Sequence, residues 1–142
     1  MDKVYCLYKI SHWSYNHHLE FFSRFCRFIL RILFSCDIHY KAQIGEGTTF
    51  PHAALGVVIH PDAVIGNNCK ILHCTTLGGR GNHTGLPIIG DNVLIGCHAQ
   101  VLGPVKIGDN SIIGANSVVI SSIPSNSIAI GSPAVVVKSI NS

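Results

Sequence analysis

Ten aliphatic side chains in this 142-residue sequence fall on a single spacing of six: Ile59, Ile65, Ile71, Leu77, Ile89, Ile95, Val101, Ile107, Ile113 and Val119. On that spacing only His83 is not aliphatic. A second column follows four residues behind: Ala63, Cys69, Thr75, Val93, Ala99, Val105, Ser111 and Ser117, all small or β-branched. Glycine often follows the aliphatic residue, as at Gly66, Gly78, Gly90, Gly96, Gly108 and Gly114. Neither a helical period of 3.6 nor a strand period of 2 generates this beat, whereas a hexapeptide period is the mark of a parallel β-helix.

Each hexapeptide reads as one short strand and one corner. Three of them close a triangular coil that climbs by one strand spacing, about 4.8 Å. The aliphatic residue points inward and stacks on its equivalents above and below. The small residue also turns inward, near a corner where a large one would not fit. Glycine, asparagine or aspartate at 66–67, 90–92 and 108–110 is expected to supply the positive φ that the corner needs. The period itself does not set the handedness of the coil.

One domain with a small extension suits this length. The composition, 47% hydrophobic against 12% charged, suits a solenoid with a continuous apolar interior. A formal charge of +3, without a basic stripe or an aromatic RNA-binding motif, argues against a nucleic-acid partner. The six cysteines (Cys6, Cys26, Cys36, Cys69, Cys74, Cys97) include no Cys-x-x-Cys pair. Cys69 and Cys97 stand where small buried residues belong, and all six read as reduced thiols of a cytoplasmic protein. The N-terminus, with Asp2 and Lys3, does not read as a secretory leader. No apolar run approaches the length of a membrane span. Zinc-finger and HExxH spacings are absent despite nine histidines, so no metal site is expected.

Residues 1–36 form a separate N-terminal segment and residues 37–142 the β-helix. The segment holds Trp13, Tyr5, Tyr8 and Tyr15. Phe21, Phe25, Phe28 and Ile32 follow helical spacing, with Arg24, Arg27 and Arg31 on an adjacent face. This amphipathic helix is expected to cover the open first coil or a neighbouring subunit, or to lie on a membrane surface. Repeats begin at Asp37. Gly56-Val57-Val58 breaks their phase, residues 77–88 bud out as a loop, and Val135–Lys138 forms a last short strand.

The departures from the beat carry the chemistry, since a β-helix by itself implies none. They are Phe50-Pro51-His52, Gly56-Val57-Val58 and the loop from Leu77 to Ile88 with His83. Alongside them stand the pieces Asp37-Ile38-His39, His52-Ala53, Gly56-Val57-Val58, Thr76-Leu77-Gly78-Gly79, Ile95-Gly96, Val101-Leu102-Gly103, Ile113-Gly114-Ala115-Asn116-Ser117-Val118-Val119 and Gly131-Ser132-Pro133-Ala134. In this order they resemble the serine acetyltransferase branch of the hexapeptide acyltransferases. The resemblance covers about 100 residues, 37–138, and implies a left-handed, all-β parallel β-helix with a short helical N-terminus, assembled as a homotrimer with acetyl-CoA as acyl donor. It casts His52 as the general base that takes the acceptor hydroxyl's proton, a task suited to imidazole. Asp37 would orient that ring, and backbone N–H groups would stabilise the oxyanion. The pantetheine arm would lie in a groove between subunits along Gly79, Cys97 and Ala115, with Lys138 meeting the CoA phosphates. His39 and His60 read as turn residues, and His73 and His98 as structural.

Three departures bear on the acceptor. Where serine acetyltransferases close the glycine-rich loop with Arg-His-Pro, this chain has Gly85-Leu86-Pro87. Pro51 replaces their acidic residue before the histidine, and only 36 residues precede the coil. Arg80 and His83 remain as candidate acceptor contacts, but a substrate carboxylate loses its best arginine partner. The layout looks closer to the acetyltransferases of bacterial capsule, colanic-acid and O-antigen pathways. The expected activity is therefore acetyl transfer to a hydroxyl of a sugar or surface polysaccharide precursor, in the cytoplasm or peripherally at the inner membrane. Serine O-acetylation is the alternative, and a catalytically inactive hexapeptide scaffold the second alternative.

Overall fold

The computed structural model describes residues 2–140. Two helices, α1 (Lys3–Asn16) and α2 (Glu20–Phe34), precede the coil. The coil then rises as three parallel sheets. The first contains Asp37–Ile38, Val58–Ile59, Thr76–Gly78, Gln100–Leu102 and Val118–Val119. The second contains Gln43–Ile44, Val64–Ile65, Ile88–Ile89 and Lys106–Ile107. The third contains Lys70–Ile71, Leu94–Ile95, Ile112–Ile113 and Ser127–Gly131, with Ala134–Ser139 added antiparallel on its edge.

Register converts the beat into coil steps. Thr76 pairs with Val58, and Val118 with Gln100, each a regular step of 18 residues. Val58 pairs with Asp37 at a step of 21, the three extra residues being the phase break. Gln100 pairs with Thr76 at a step of 24, the extra six lying in the loop. Both inward columns are buried as the spacing predicts: Ile71, Leu77, Ile95, Val101, Ile107, Ile113 and Val119 lose all exposure, as do Thr75, Ala99, Ser111 and Ser117. The hydroxyls among them are hydrogen-bonded within the turn or to the neighbouring coil: Thr75 Oγ1 donates to the Leu72 carbonyl at 2.7 Å, Ser111 Oγ donates to Pro124 O at 2.9 Å, and Ser117 Oγ accepts from Gly131 N–H at 3.1 Å.

At the corners, the division of labour differs from the expectation. Asn68, Asn92 and Asn110, not the neighbouring glycines, adopt positive φ (54–58°). Gly66 and Gly90 serve a different need: a Cβ on Gly66 would lie 2.5 Å from the Gly90 carbonyl oxygen, because successive coils approach backbone to backbone. The asparagines stack as a ladder, Asn92 Nδ2 to Asn110 Oδ1 at 3.1 Å and Asn110 Nδ2 to Asn126 Oδ1 at 3.0 Å. All six thiols are free; Cys36 is buried, and burial pushes its thiol up to about 12. Cys69 is buried as expected, whereas Cys97 is only half-buried.

The N-terminal segment differs most from its reading. It holds two helices rather than one. Asp2 caps α1, accepting from Tyr5 N–H at 3.0 Å. Val4 and Tyr8 of α1 and Leu30 of α2 join the core cluster of the coil. The Tyr8 hydroxyl donates to Ala42 O at 2.6 Å and accepts from Ile44 N–H at 3.2 Å, so it caps the open end of the first coil. Small residues let the two helices approach: Ser11 and Ser23 each donate to the other's backbone carbonyl at 2.9 Å. The face of α2 turned inward is Ser23, Cys26 and Leu30. The Phe21–Phe25–Phe28–Ile32 stripe therefore does not cover the coil; it faces outward, with Phe21 87% exposed. None of the described helices is long and apolar enough to cross a membrane.

Candidate active site

The irregular first coil builds an unusual turn. Phe50 is buried and its N–H is held by the Asp2 carboxylate, and Pro51 follows. His52, Ala53 and Ala54 then take left-handed φ of 56°, 55° and 57° in succession. Left-handed backbone is uncommon outside glycine, and residues held in it concentrate at functional sites. The surroundings enforce it. Ala54 is fully buried, Leu55 N–H donates to His52 O at 3.2 Å, and Gly56 N–H donates to Ser35 O at 2.9 Å. The Leu55 carbonyl accepts from Cys74 N–H at 2.7 Å, tying the turn to the coil above. The result is an exposed imidazole on a fixed base. Among the described residues, no hydrogen bond engages either ring nitrogen of His52.

Asp37, the expected partner, is otherwise engaged. Its Oδ1 accepts from Arg27 Nε at 2.8 Å and its Oδ2 from Arg27 Nη2 at 3.0 Å, a bidentate pair, with Arg31 Nη1 3.8 Å away. Burial pushes the carboxyl upward. The Arg27 hydrogen bonds and the charges of Arg27 and Arg31 outweigh that and hold it below its usual value. No hydrogen bond joins Asp37 to His52 in the described chain. The aromatic that does meet the His52 ring is His73, edge-on with centroids 5.0 Å apart and planes at 81°. His98 meets His73 likewise at 5.6 Å and 82°.

Of the expected groove residues, Cys97 and Ala115 stack on the corner that carries these histidines; Asn116 N–H donates to Cys97 O at 2.9 Å. Gly79 lies beyond the far end of Thr76–Gly78, with nothing within 4 Å of where a Cβ would sit. Lys138 is exposed on the outermost strand, paired with Ile128 on the third sheet. Arg80 is half-buried and donates to Ile120 O at 3.2 Å. His83 is exposed and its N–H donates to Arg80 O at 2.9 Å. His39 and His60 are turn residues as read: their Nδ1 atoms accept from Lys41 N–H (3.1 Å) and Asp62 N–H (3.2 Å). Among the described residues no three His, Cys, Asp or Glu side chains converge to hold a metal ion.

Three residues escaped the sequence reading. Arg27 was visible only as one of a row of helix arginines, yet it claims Asp37. His73 and His98 read from the sequence as structural, and in the fold they form a column with His52. The steps of 21 and 24 residues that bring them together emerge only once the strands are paired.

Residues 87–121 match the family of bacterial transferase hexapeptide repeats (six repeats). A serine acetyltransferase of Buchnera aphidicola is 38% identical over 136 residues, covering 94% of this chain and 52% of the relative. Brucella abortus serine acetyltransferase, solved in complex with coenzyme A, superposes with TM-score 0.90 at 36% identity, covering 95% of this chain and 54% of that one. Soybean serine acetyltransferase complexed with serine superposes with TM-score 0.88 at 40% identity, covering 94% and 56%. The chain thus spans about half the length of the relatives it matches. These relatives overturn the expectation of a sugar or polysaccharide acceptor, and the likeness to capsule and O-antigen acetyltransferases finds no support. The loop differences behind that expectation are real, but they sit on a coil and helices that match serine acetyltransferases along nearly the whole chain. The coil is the left-handed β-helix of the hexapeptide transferases, and the homologues of this chain over most of its length are serine acetyltransferases.

Proposed function

We propose that this chain is an acetyl-CoA-dependent serine O-acetyltransferase. What carries the reading is the match of 94–95% of the chain to serine acetyltransferases solved with coenzyme A and with serine. His52 suits the task of general base: an exposed imidazole, its ring nitrogens free, on a turn the coil holds rigid. It takes the proton from the serine hydroxyl as that oxygen attacks the thioester carbonyl. The tetrahedral intermediate collapses, expelling the CoA sulfur, which recovers the proton from the imidazolium. Transfer is direct, with no acyl-enzyme. Backbone N–H groups supply oxyanion stabilisation. Arg80 retains guanidinium donors beyond the one given to Ile120 and is the candidate partner of the serine carboxylate, with His83 beside it on the loop.

The working assembly in this reading is a cytoplasmic homotrimer. The pantetheine arm runs in a groove between subunits past Cys97, Ala115 and Gly79, and Lys138 meets the CoA phosphates. The half-buried Cys97 and the open space at Gly79 suit an arm lying against the backbone. The outward stripe of α2 is covered by a neighbouring subunit. Peripheral contact with a membrane is the second reading, favoured by the exposed Arg24 and Arg31 that flank the stripe.

The experiment is acetyl transfer by the purified protein, followed by release of free CoA thiol, with L-serine and a panel of other hydroxyl compounds. Serine-dependent release that saturates in both substrates is expected. No serine-dependent release from a folded protein that binds CoA overturns the proposal.

A further inference from the structure

A general base works from one tautomer and one ring orientation. In this chain the carboxylate expected to impose both is paired with Arg27, and among the described residues no hydrogen bond engages the His52 ring. His73 meets it instead, edge-on at 5.0 Å, and His98 backs His73 at 5.6 Å. The column is held by the backbone of successive coils as well as by ring contact. His98 N–H donates to His73 O at 3.0 Å, and Cys74 and His98 both take left-handed φ at the corner. Among the described residues His73 Nδ1 is buried without a hydrogen-bond partner. An unpaired buried polar atom costs free energy, so polarity does not account for an imidazole at this place. The shape of its ring does, because edge-to-face contact is directional and restricts the planes of both rings.

We propose that His73 is a positioning residue for His52: its ring, braced by His98, sets the plane of the His52 imidazole and aims one nitrogen at the acceptor hydroxyl. The inference rests on the reading of His52 as general base. It assigns to an aromatic contact a part in orienting an imidazole that receives no hydrogen bond among the described residues.

The test compares His73→Ala with His73→Phe, which keeps a ring but no nitrogen. For His73→Ala, kcat is expected to fall about tenfold to a hundredfold, since small misplacements of a catalytic group are costly. KM for acetyl-CoA is expected to stay within about twofold, and His73→Phe to recover most of kcat. Retention of wild-type kcat by His73→Ala, or a Phe variant as slow as the Ala variant, overturns the proposal. A second readout needs no turnover. Histidine-labelled wild-type protein should give a nuclear Overhauser contact between the ring protons of His52 and His73. The His52 ring resonances should shift and broaden in His73→Ala and stay sharp in His73→Phe. Absence of the contact, or unchanged His52 resonances in His73→Ala, sinks the positioning role whatever the activity. Intact ring coupling in a protein that transfers no acetyl group sinks the acetyltransferase reading alone.

Discussion

At the scale of single residues, two histidines do opposite work. His52 offers free ring nitrogens to solvent; replacing it with alanine should lower kcat by about 10²–10⁴ with little change in thermal stability, as the side chain is exposed. Steady-state rates and a melting curve on the same preparation check both halves. His39 instead spends Nδ1 on the Lys41 N–H, and a proton there would break that bond. Burial and then the charge of Arg27 pull its pKa down to about 4, against the opposing pull of Asp37. An unfolded imidazole titrates near 6.5, so the unfolded chain takes up the proton first. The contribution is complete above pH 6.5 and drains away as the pH falls toward about 4. Urea midpoints across that window should fall in the wild type and fall less in His39→Asn, whose amide oxygen can accept the same N–H without titrating. The contrast also marks what was legible. An Ile-His turn can be read locally, because Nδ1 and its donor are two residues apart. The Arg27–Asp37 pair joins a helix residue to the first strand across the Ser35 turn, a geometry no period reveals, and the column of His52, His73 and His98 depends on coil steps of 21 and 24 rather than the regular 18.

At the scale of elements, α2 shows the limit of amphipathicity as a guide. The periodicity of Phe21, Phe25, Phe28 and Ile32 establishes that the helix has an apolar face; it does not say what that face meets. Inside the chain α2 is held by the narrow opposite seam of Ser23, Cys26 and Leu30, where small side chains permit close approach. α1 was illegible as a helix for a related reason. Its buried positions, Val4, Tyr8, Ser11 and Ser14, mix apolar residues with serines, so hydrophobic period alone does not expose them. The coil strands, two or three residues each through most of the stack, had the opposite advantage: a short repeat makes each one predict the next. Exposed side chains contribute little to folding, so the triple variant Phe21→Ser, Phe25→Ser, Phe28→Ser should change the unfolding free energy by no more than about 0.5 kcal/mol per site. Its mass in sedimentation velocity should fall below that of the wild type. An unchanged mass would show that the stripe is no subunit interface, and loss of vesicle flotation in the same variant would assign it to lipid.

At the scale of the whole molecule, a solenoid is held by contacts between neighbouring coils, so its ends decide whether the stack survives. The two ends are closed differently. At the C-terminal end Ala134–Ser139 folds back antiparallel on Ser127–Gly131. At the N-terminal end one side chain does much of the closing: Tyr8 is 1% exposed and its hydroxyl serves both Ala42 O and Ile44 N–H, backbone groups of the coil's open end. Tyr8→Phe keeps the ring and the packing but leaves two buried backbone groups unpaired. The expected cost is about 1–3 kcal/mol, well above the loss from removing an exposed hydroxyl. Because each coil leans on the next, that cost should not spread evenly. Amide exchange should quicken first along Ile38–Phe50, then at the His52 turn, whose Phe50 N–H is tied to the α1 cap residue Asp2. The strands from Leu94 upward should keep their protection until global unfolding. Acetyl transfer is then expected to fail at a lower urea concentration than the loss of strand signal from the upper coils. Coincident loss of the two would mean that the stack unfolds as one unit and that its N-terminal cap is not a separate weak point.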